Sequence, residues 1–290
     1  MSHRPHPERE TLRPGLVLAG RYSIRYVLGR GGSSVVYAAR DEDGTDVAVK
    51  LLDPEPQHRA TERERMLREA RLTQSLDHHG IVRVSDGGEL DDGRTFLVME
   101  HLRGRTVADR MNSVFWMPID EALAVSAQLL EALASAHEFG VIHRDVNPAN
   151  VFLLDGEEVR MKLIDFGIGR DLGNPRSRVT EPNVVCGTIG YMAPEQLFGD
   201  DPSVRSDLYS AGATIYEMLT GKAPHDIRTG DVRQVLSKMV EPPLEISELR
   251  PAVPAAFADG VMRALRNSPS DRHGSAMEMA EACELTLAAA

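Results

Sequence analysis

Cysteine is almost missing from this chain: Cys186 and Cys283 are the only two among 290 residues. No disulfide framework and no C-x-x-C metal spacing can be drawn from them, and a reducing, cytoplasmic setting is the expectation. Long apolar runs are missing too. The most apolar stretch, residues 122–136, is interrupted by Glu131, so no membrane-spanning helix is expected. The opening Met1-Ser2-His3-Arg4 leads into no apolar segment, which argues against a signal peptide. Positive charge is in deficit, with 33 Lys and Arg against 44 Asp and Glu and a net charge of −11. Binding a phosphate backbone needs clustered cations, so nucleic acid is not expected as a partner.

What is present suffices for a large core, since 42% of the residues are hydrophobic. Residues 1–20 are rich in Pro, Arg and Glu without periodicity and read as a flexible leader. Short apolar runs at 22–28, 34–39 and 46–52 then alternate with Gly and Asp, and Asp43-Gly44 is a hairpin signal. Residues 60–76 read as a helix. Two further strands are expected near 81–85 and 94–100, set off by turns at Gly87-Gly88 and Asp92-Gly93. From Gly104 onward the pattern is helical: Ile119, Leu123, Ser126, Leu130, Leu133 and His137 recur at three- and four-residue steps. A small β pair is expected at 151–154 and 160–164, and helices near 203–220, 228–240, 254–266 and 275–287. The fold class is α+β: a small antiparallel β-rich lobe (21–100), a hinge near 100–103 and a larger, mostly helical lobe (104–287).

Four groups of residues carry chemistry. Leu28-Gly29-Arg30-Gly31-Gly32-Ser33-Ser34-Val35-Val36 is a glycine-rich turn between strands, where backbone N–H groups can approach phosphate oxygens. Lys50 ends Val47-Ala48-Val49-Lys50 one hairpin later, a point charge suited to phosphates. His143-Arg144-Asp145-Val146-Asn147-Pro148-Ala149-Asn150 places a carboxylate and an amide five residues apart. Asp145 can accept or orient a hydroxyl proton, and Asn150 can offer its carbonyl oxygen to a divalent cation. Asp165-Phe166-Gly167 supplies a second carboxylate for the metal. Singly, each of these has an ordinary structural alternative as a turn or a surface lysine.

In this order, and with Ala193-Pro194-Glu195 after them, the motifs resemble the protein kinase superfamily, in particular its bacterial eukaryotic-like Ser/Thr branch. The resemblance runs from about Tyr22 to Leu287. It implies a bilobal kinase fold with ATP between the lobes and Mg²⁺, or Mn²⁺ in its place, held by Asn150 and Asp165. Lys50 would pair with phosphates and with Glu69, for which Glu62 and Glu64 are competitors. Val36, Ala48 and Phe152 would flank the adenine, Met99 would be its gatekeeper, and Glu100 to Leu102 would meet its edge through the backbone. Thr188 would bond Asp145. Glu195 would pair with Arg272, and Asp207 would hold the catalytic loop backbone. Arg144 would read a phosphate on the segment holding Ser177 and Thr180. The partners implied are ATP and protein substrates with Ser or Thr hydroxyls, with a transient homodimer for autophosphorylation and no membrane insertion.

Two positions depart from that pattern. Ser34 stands for the third glycine, a small change. Asn147 stands where Ser/Thr kinases usually carry a lysine facing the transferring phosphate, and on that reading Asn147→Lys should raise kcat. The same departure keeps an ATP-binding pseudokinase scaffold open as an alternative. A small-molecule phosphotransferase is a further one, although such enzymes generally lack the Ala193-Pro194-Glu195 segment.

Overall fold

The computed structural model describes residues 12–31, 34–52, 73–166, 189–225, 234, 237–239, 241–285 and 287. Gly32, Ser33, Glu62, Glu64, Glu69, Gly167, Ser177, Thr180, Cys186 and Thr188 lie outside the described residues, as does most of the 228–240 stretch. The chain divides into two compact units, Met1–Arg63 with Val84–His101 and Glu64–Arg83 with Leu102–Ala290.

The first unit is a six-stranded sheet of order β1-β2-β3-β4-β6-β5. Its strands are β1 (Val17–Leu18), β2 (Tyr22–Arg30), β3 (Ser34–Arg40), β4 (Asp46–Leu52), β5 (Val84–Glu89) and β6 (Thr95–Glu100). The β3–β4 hairpin closes where Asp43-Gly44 indicated, with the Thr45 N–H donating to Asp43 Oδ1 at 2.8 Å. Period-two alternation sorts the faces. Tyr22, Ile24, Val35, Tyr37, Ala39, Val47, Val49, Leu51, Phe96 and Val98 form one buried cluster, which leaves Val36, Ala48, Lys50, Leu97 and Met99 to the opposite face.

Two expectations need correcting here. Residues 12–18, assigned to the leader, are built into the sheet. Val17 and Leu18 pair with Ser23 and Tyr22, the Gly15 N–H donates to Ile24 O at 2.8 Å, and Leu18 is 2% exposed. Two residues are too few for periodicity to reveal. Gly87-Gly88, read as a turn, lies inside β5. A Cβ on Gly87 would come within 2.8 Å of Leu97 Cδ2, and one on Gly88 within 3.1 Å of the Phe96 ring. These glycines therefore permit close approach of strands rather than reversal.

The second unit holds the three-stranded sheet of β7 (Gly104–Thr106), β8 (Val151–Leu154) and β9 (Met161–Leu163). Its α-helices among the described residues are Val107–Met111, Ile119–Glu138, Pro194–Phe198, Val204–Thr220, Ile246–Leu249, Ala255–Ala264 and Ala276–Ala282. The Ile119–Glu138 helix is the long buried one expected. It buries Ala122, Val125, Ser126, Leu129, Leu130, Leu133 and Ala136 against the Val204–Thr220 helix and β9. It ends in a Schellman turn: the Gly140 N–H donates to His137 O and the Val141 N–H to Ala136 O, both at 2.9 Å. Gly140 takes φ 70, a left-handed value that costs glycine nothing, and so turns the chain into the 141–150 loop. Among the described residues no helix is long and apolar enough to cross a membrane.

This unit also sets a pH dependence. Burial is the first cause holding His225 and His273 below the ordinary imidazole value of 6.5, and it does the same for His78. His273 Nε2 meets Gly260 O at 2.8 Å, so it carries the proton, and the buried Nδ1 has no hydrogen-bond partner among the described residues. The Glu278 carboxylate lies 4.0 Å from that Nδ1 and favours a second proton, but burial outweighs it. The folded chain thus binds fewer protons at these rings than the unfolded chain does. Their contribution is complete above the unfolded value and is lost as pH falls from it through the folded values. Urea midpoints are expected to drop between about pH 7.5 and pH 5.5. His273→Gln, whose amide can still donate to Gly260 O, should flatten that drop. An unchanged slope would assign the pH dependence to other groups.

Candidate active site

The 143–150 loop is fixed by one carboxylate. Asp207 sits in the first turn of the Val204–Thr220 helix, where negative charge is favoured, and is 1% exposed. Its Oδ2 accepts the His143 N–H at 2.7 Å and its Oδ1 the Arg144 N–H at 2.8 Å. His137 Nε2 reaches the same Oδ2 at 2.9 Å. Arg144 is held at φ 71, an uncommon left-handed value for a non-glycine residue. These contacts support the backbone-holding role expected of Asp207. The part of His137 was not legible: in sequence it is one more residue of a helical repeat, and nothing local says that residue 207 folds against it.

Next along the loop, the Asp145 N–H donates to His143 Nδ1 at 3.3 Å. That leaves the ring proton on Nε2, which meets Ile164 O at 3.1 Å. The ring is fully buried and packs against Phe166 with centroids 4.5 Å apart. Asn150 O accepts the Ile164 N–H at 2.9 Å. The loop is thereby tied to the chain running into Asp165, itself at φ 55.

Asp145 and Asn150 are brought together as expected. The Asn150 amide nitrogen donates to Asp145 O at 2.7 Å and to Asp145 Oδ2 at 2.8 Å. Both amide protons are thus directed at Asp145, and Oδ1 is the atom left for ligation. Together with the Asp165 carboxylate it would offer oxygen donors only, the chemistry that a hard cation such as Mg²⁺ would take. Asp145 itself is 8% exposed and Asn150 7%. Phe152 lies on β8 opposite Thr106 and Lys162, and Leu102 lies two residues before β7 in this unit.

Asn147 does not behave as the sequence suggested. Its Nδ2 donates to Asp145 O at 3.0 Å, its Oδ1 accepts the Ala149 N–H at 2.9 Å, and it is 6% exposed. Both ends of the amide are spent inside the loop. These two bonds give the side chain a part inside the loop that the expectation of a phosphate-facing stand-in for lysine did not include.

In the first unit, Lys50 lies mid-sheet, paired with Val36 on one side and Leu97 on the other, and is 7% exposed. Ala48 pairs with Met99, and Glu100 with Val47. Gly29 and Arg30 pair with Val36 and Val35, and the Gly31 N–H donates to Ser34 O at 2.8 Å. Leu28 is 43% exposed. Alternation therefore puts Val36, Ala48, Lys50 and Met99 on one face of the sheet.

Outside these residues, His78, His79 and Glu131 bring potential ligand atoms within 4.8 Å of one another. His78 Nδ1 already accepts the Gly80 N–H at 3.1 Å, and His79 Nε2 lies 3.7 Å from the Glu131 carboxylate. We read this group as a His79–Glu131 contact beside a histidine that is already hydrogen-bonded.

The protein kinase domain family matches residues 22–283. A probable serine/threonine-protein kinase of Corynebacterium efficiens is 38% identical over 276 residues, covering 93% of this chain and 42% of the relative. The serine/threonine-protein kinase PknB of Mycobacterium tuberculosis is 37% identical over 268 residues, 90% of this chain and again 42% of the relative. The chain thus spans less than half the length of these curated relatives. Among solved structures, the Mycobacterium tuberculosis PknI kinase domain aligns with a TM-score of 0.75 at 31% identity, covering 94% of this chain and 99% of that one. Rad53 1-466 in complex with AMP-PNP aligns with a TM-score of 0.72 at 26% identity, covering 89% and 64%.

Proposed function

This chain belongs to the protein kinase family, and on that premise we propose that it transfers the γ-phosphate of ATP to Ser or Thr hydroxyls of proteins, itself among them. The observation that carries the reading is the fixed Asp145–Asn150 pair, which sets a carboxylate able to take a hydroxyl proton beside an amide oxygen able to face a cation. The relatives' printed names support Ser and Thr as acceptors, and the AMP-PNP complex of a structural neighbour supports ATP as donor. The cytoplasm is the setting that accords with the scarcity of cysteine.

In this proposal Asp145 orients the attacking hydroxyl and receives its proton. Lys50 neutralises charge on the nucleotide phosphates, and Asn150 and Asp165 would hold Mg²⁺. The cation, when bound, screens the negative charge of the phosphate oxygens. Catalysis is then largely positioning and charge neutralisation. Purified chain incubated with radiolabelled ATP and Mg²⁺ should become labelled on Ser and Thr. Lys50→Met is expected to lower the rate by about 10²–10³. Absence of label in the wild type, or label confined to tyrosine, would overturn the proposal.

A further inference from the structure

We propose that Asn147 is a positioning residue that holds Asp145 in place from within the loop, a role that rests on the kinase reading above. Asp145 O is gripped by two neutral amides, Asn147 Nδ2 at 3.0 Å and Asn150 Nδ2 at 2.7 Å. On its other side the Asn147 amide caps the turn it starts: Oδ1 takes the Ala149 N–H at 2.9 Å, and Asn147 O takes the Asn150 N–H at 2.9 Å. This is an Asx turn closed over Pro148, which has no N–H of its own to offer. The amide orientation is dictated by its neighbours. Turned over, its NH₂ would face the Ala149 N–H and its oxygen would face Asp145 O, losing both bonds.

A carbonyl gripped from two sides fixes the Asp145 backbone, and with it the direction of the carboxylate. Asn150 also holds that carboxylate through Oδ2, so Asn147 and Asn150 act on one residue at two points. Lysine could not replace Asn147 in this. An ammonium has donors only and cannot accept the Ala149 N–H, and its longer chain would have to leave a buried place. The loop is therefore organised by uncharged amides where a cation would otherwise stand.

The test compares wild type with Asn147→Ala, Asn147→Ser and Asn147→Lys. Two quantities are measured: amide hydrogen exchange at Ala149, and the initial rate of self-phosphorylation from radiolabelled Mg-ATP over a range of ATP concentrations. Asn147→Ala and Asn147→Lys are expected to exchange faster at Ala149. Each should lose roughly tenfold in maximal rate, the worth of one good hydrogen bond, with KM for ATP unchanged. Asn147→Ser, whose hydroxyl can accept the same N–H, should keep Ala149 protected and regain part of the rate. A lysine variant as fast as wild type or faster overturns the proposal. So does a rise in KM at unchanged maximal rate, which would place the side chain on the nucleotide. If the wild type transfers no phosphate, the kinase reading fails. Unchanged Ala149 exchange in Asn147→Ala would then separately overturn the brace.

Discussion

Asp145→Asn is expected to lower phosphate transfer by about 10²–10⁴, the range for removing a general base, while ATP affinity stays within about threefold. The geometry makes this substitution cleaner than alanine. Asp145 Oδ2 accepts the Asn150 amide at 2.8 Å, and an asparagine at 145 presents a carbonyl oxygen of the same shape to that donor. The two amide bonds on Asp145 O are made to the backbone and survive any side-chain change. What disappears is the negative charge and the capacity to take a proton. Asp145→Ala would also strand the Asn150 donor, mixing a structural loss with the chemical one. Transfer rates from labelled Mg-ATP and nucleotide affinity by calorimetry, measured on the same preparation, check the split. An active Asp145→Asn variant would remove Asp145 from the chemistry. A variant that has lost ATP affinity in parallel would make it a nucleotide-binding residue.

The second large effect concerns stability. Arg272 is fully buried, and all five of its N–H donors are used. Nη1 and Nη2 each meet a Glu195 carboxylate oxygen at 2.7 Å. Nε donates to Arg266 O at 2.7 Å, Nη1 to Arg205 O at 3.0 Å and Nη2 to Asn267 O at 2.9 Å. The guanidinium also lies 4.9 Å from the centre of the Tyr209 ring. Arg272→Met leaves the Glu195 carboxylate, only 11% exposed, uncompensated, and a loss of about 3–5 kcal/mol is expected. Arg272→Lys should recover little, since three donors on a point ammonium cannot reproduce a five-donor planar fork. Replacing both partners by apolar residues, Arg272→Met with Glu195→Leu, should restore much of the loss, because no buried charge then remains alone. Urea unfolding of the four proteins decides it. If Arg272→Met cost less than about 1 kcal/mol, the pair would rank with exposed ion pairs. Inactivity of such variants would reflect unfolding and would not make Arg272 catalytic.

Local chemistry and motif order made the candidate site residues legible in the sequence. Val47, Val49 and Leu51 alternate with Ala48 and Lys50, and two-residue periodicity alone sends them to opposite faces of a strand. Asp145 and Asn150 are close in sequence, and a short loop could hardly keep them apart. The Ile119–Glu138 helix was likewise legible, since apolar residues at three- and four-residue steps need a buried face. The resemblance added the partners that periodicity cannot supply, Asp207 for the loop and Arg272 for Glu195, separated in sequence by 63 to 77 residues.

Some features only the tertiary structure decided. Gly87 and Gly88 look the same in sequence whether they make a turn or let Leu97 and Phe96 come close. Two residues at 17–18 become a strand only because β2 is there to pair with them. His137 carries no local sign of the carboxylate it meets. Asn147 is the sharpest case. Sequence determined that position 147 holds a neutral amide with one donor end and one acceptor end. Which partners that amide takes depends on where the backbone of residues 145 and 149 lies, and this is fixed by the remote Asp207 and by the strand leading into Asp165. A side chain's chemistry is written locally, but the direction in which it is spent is set by contacts far away in the chain.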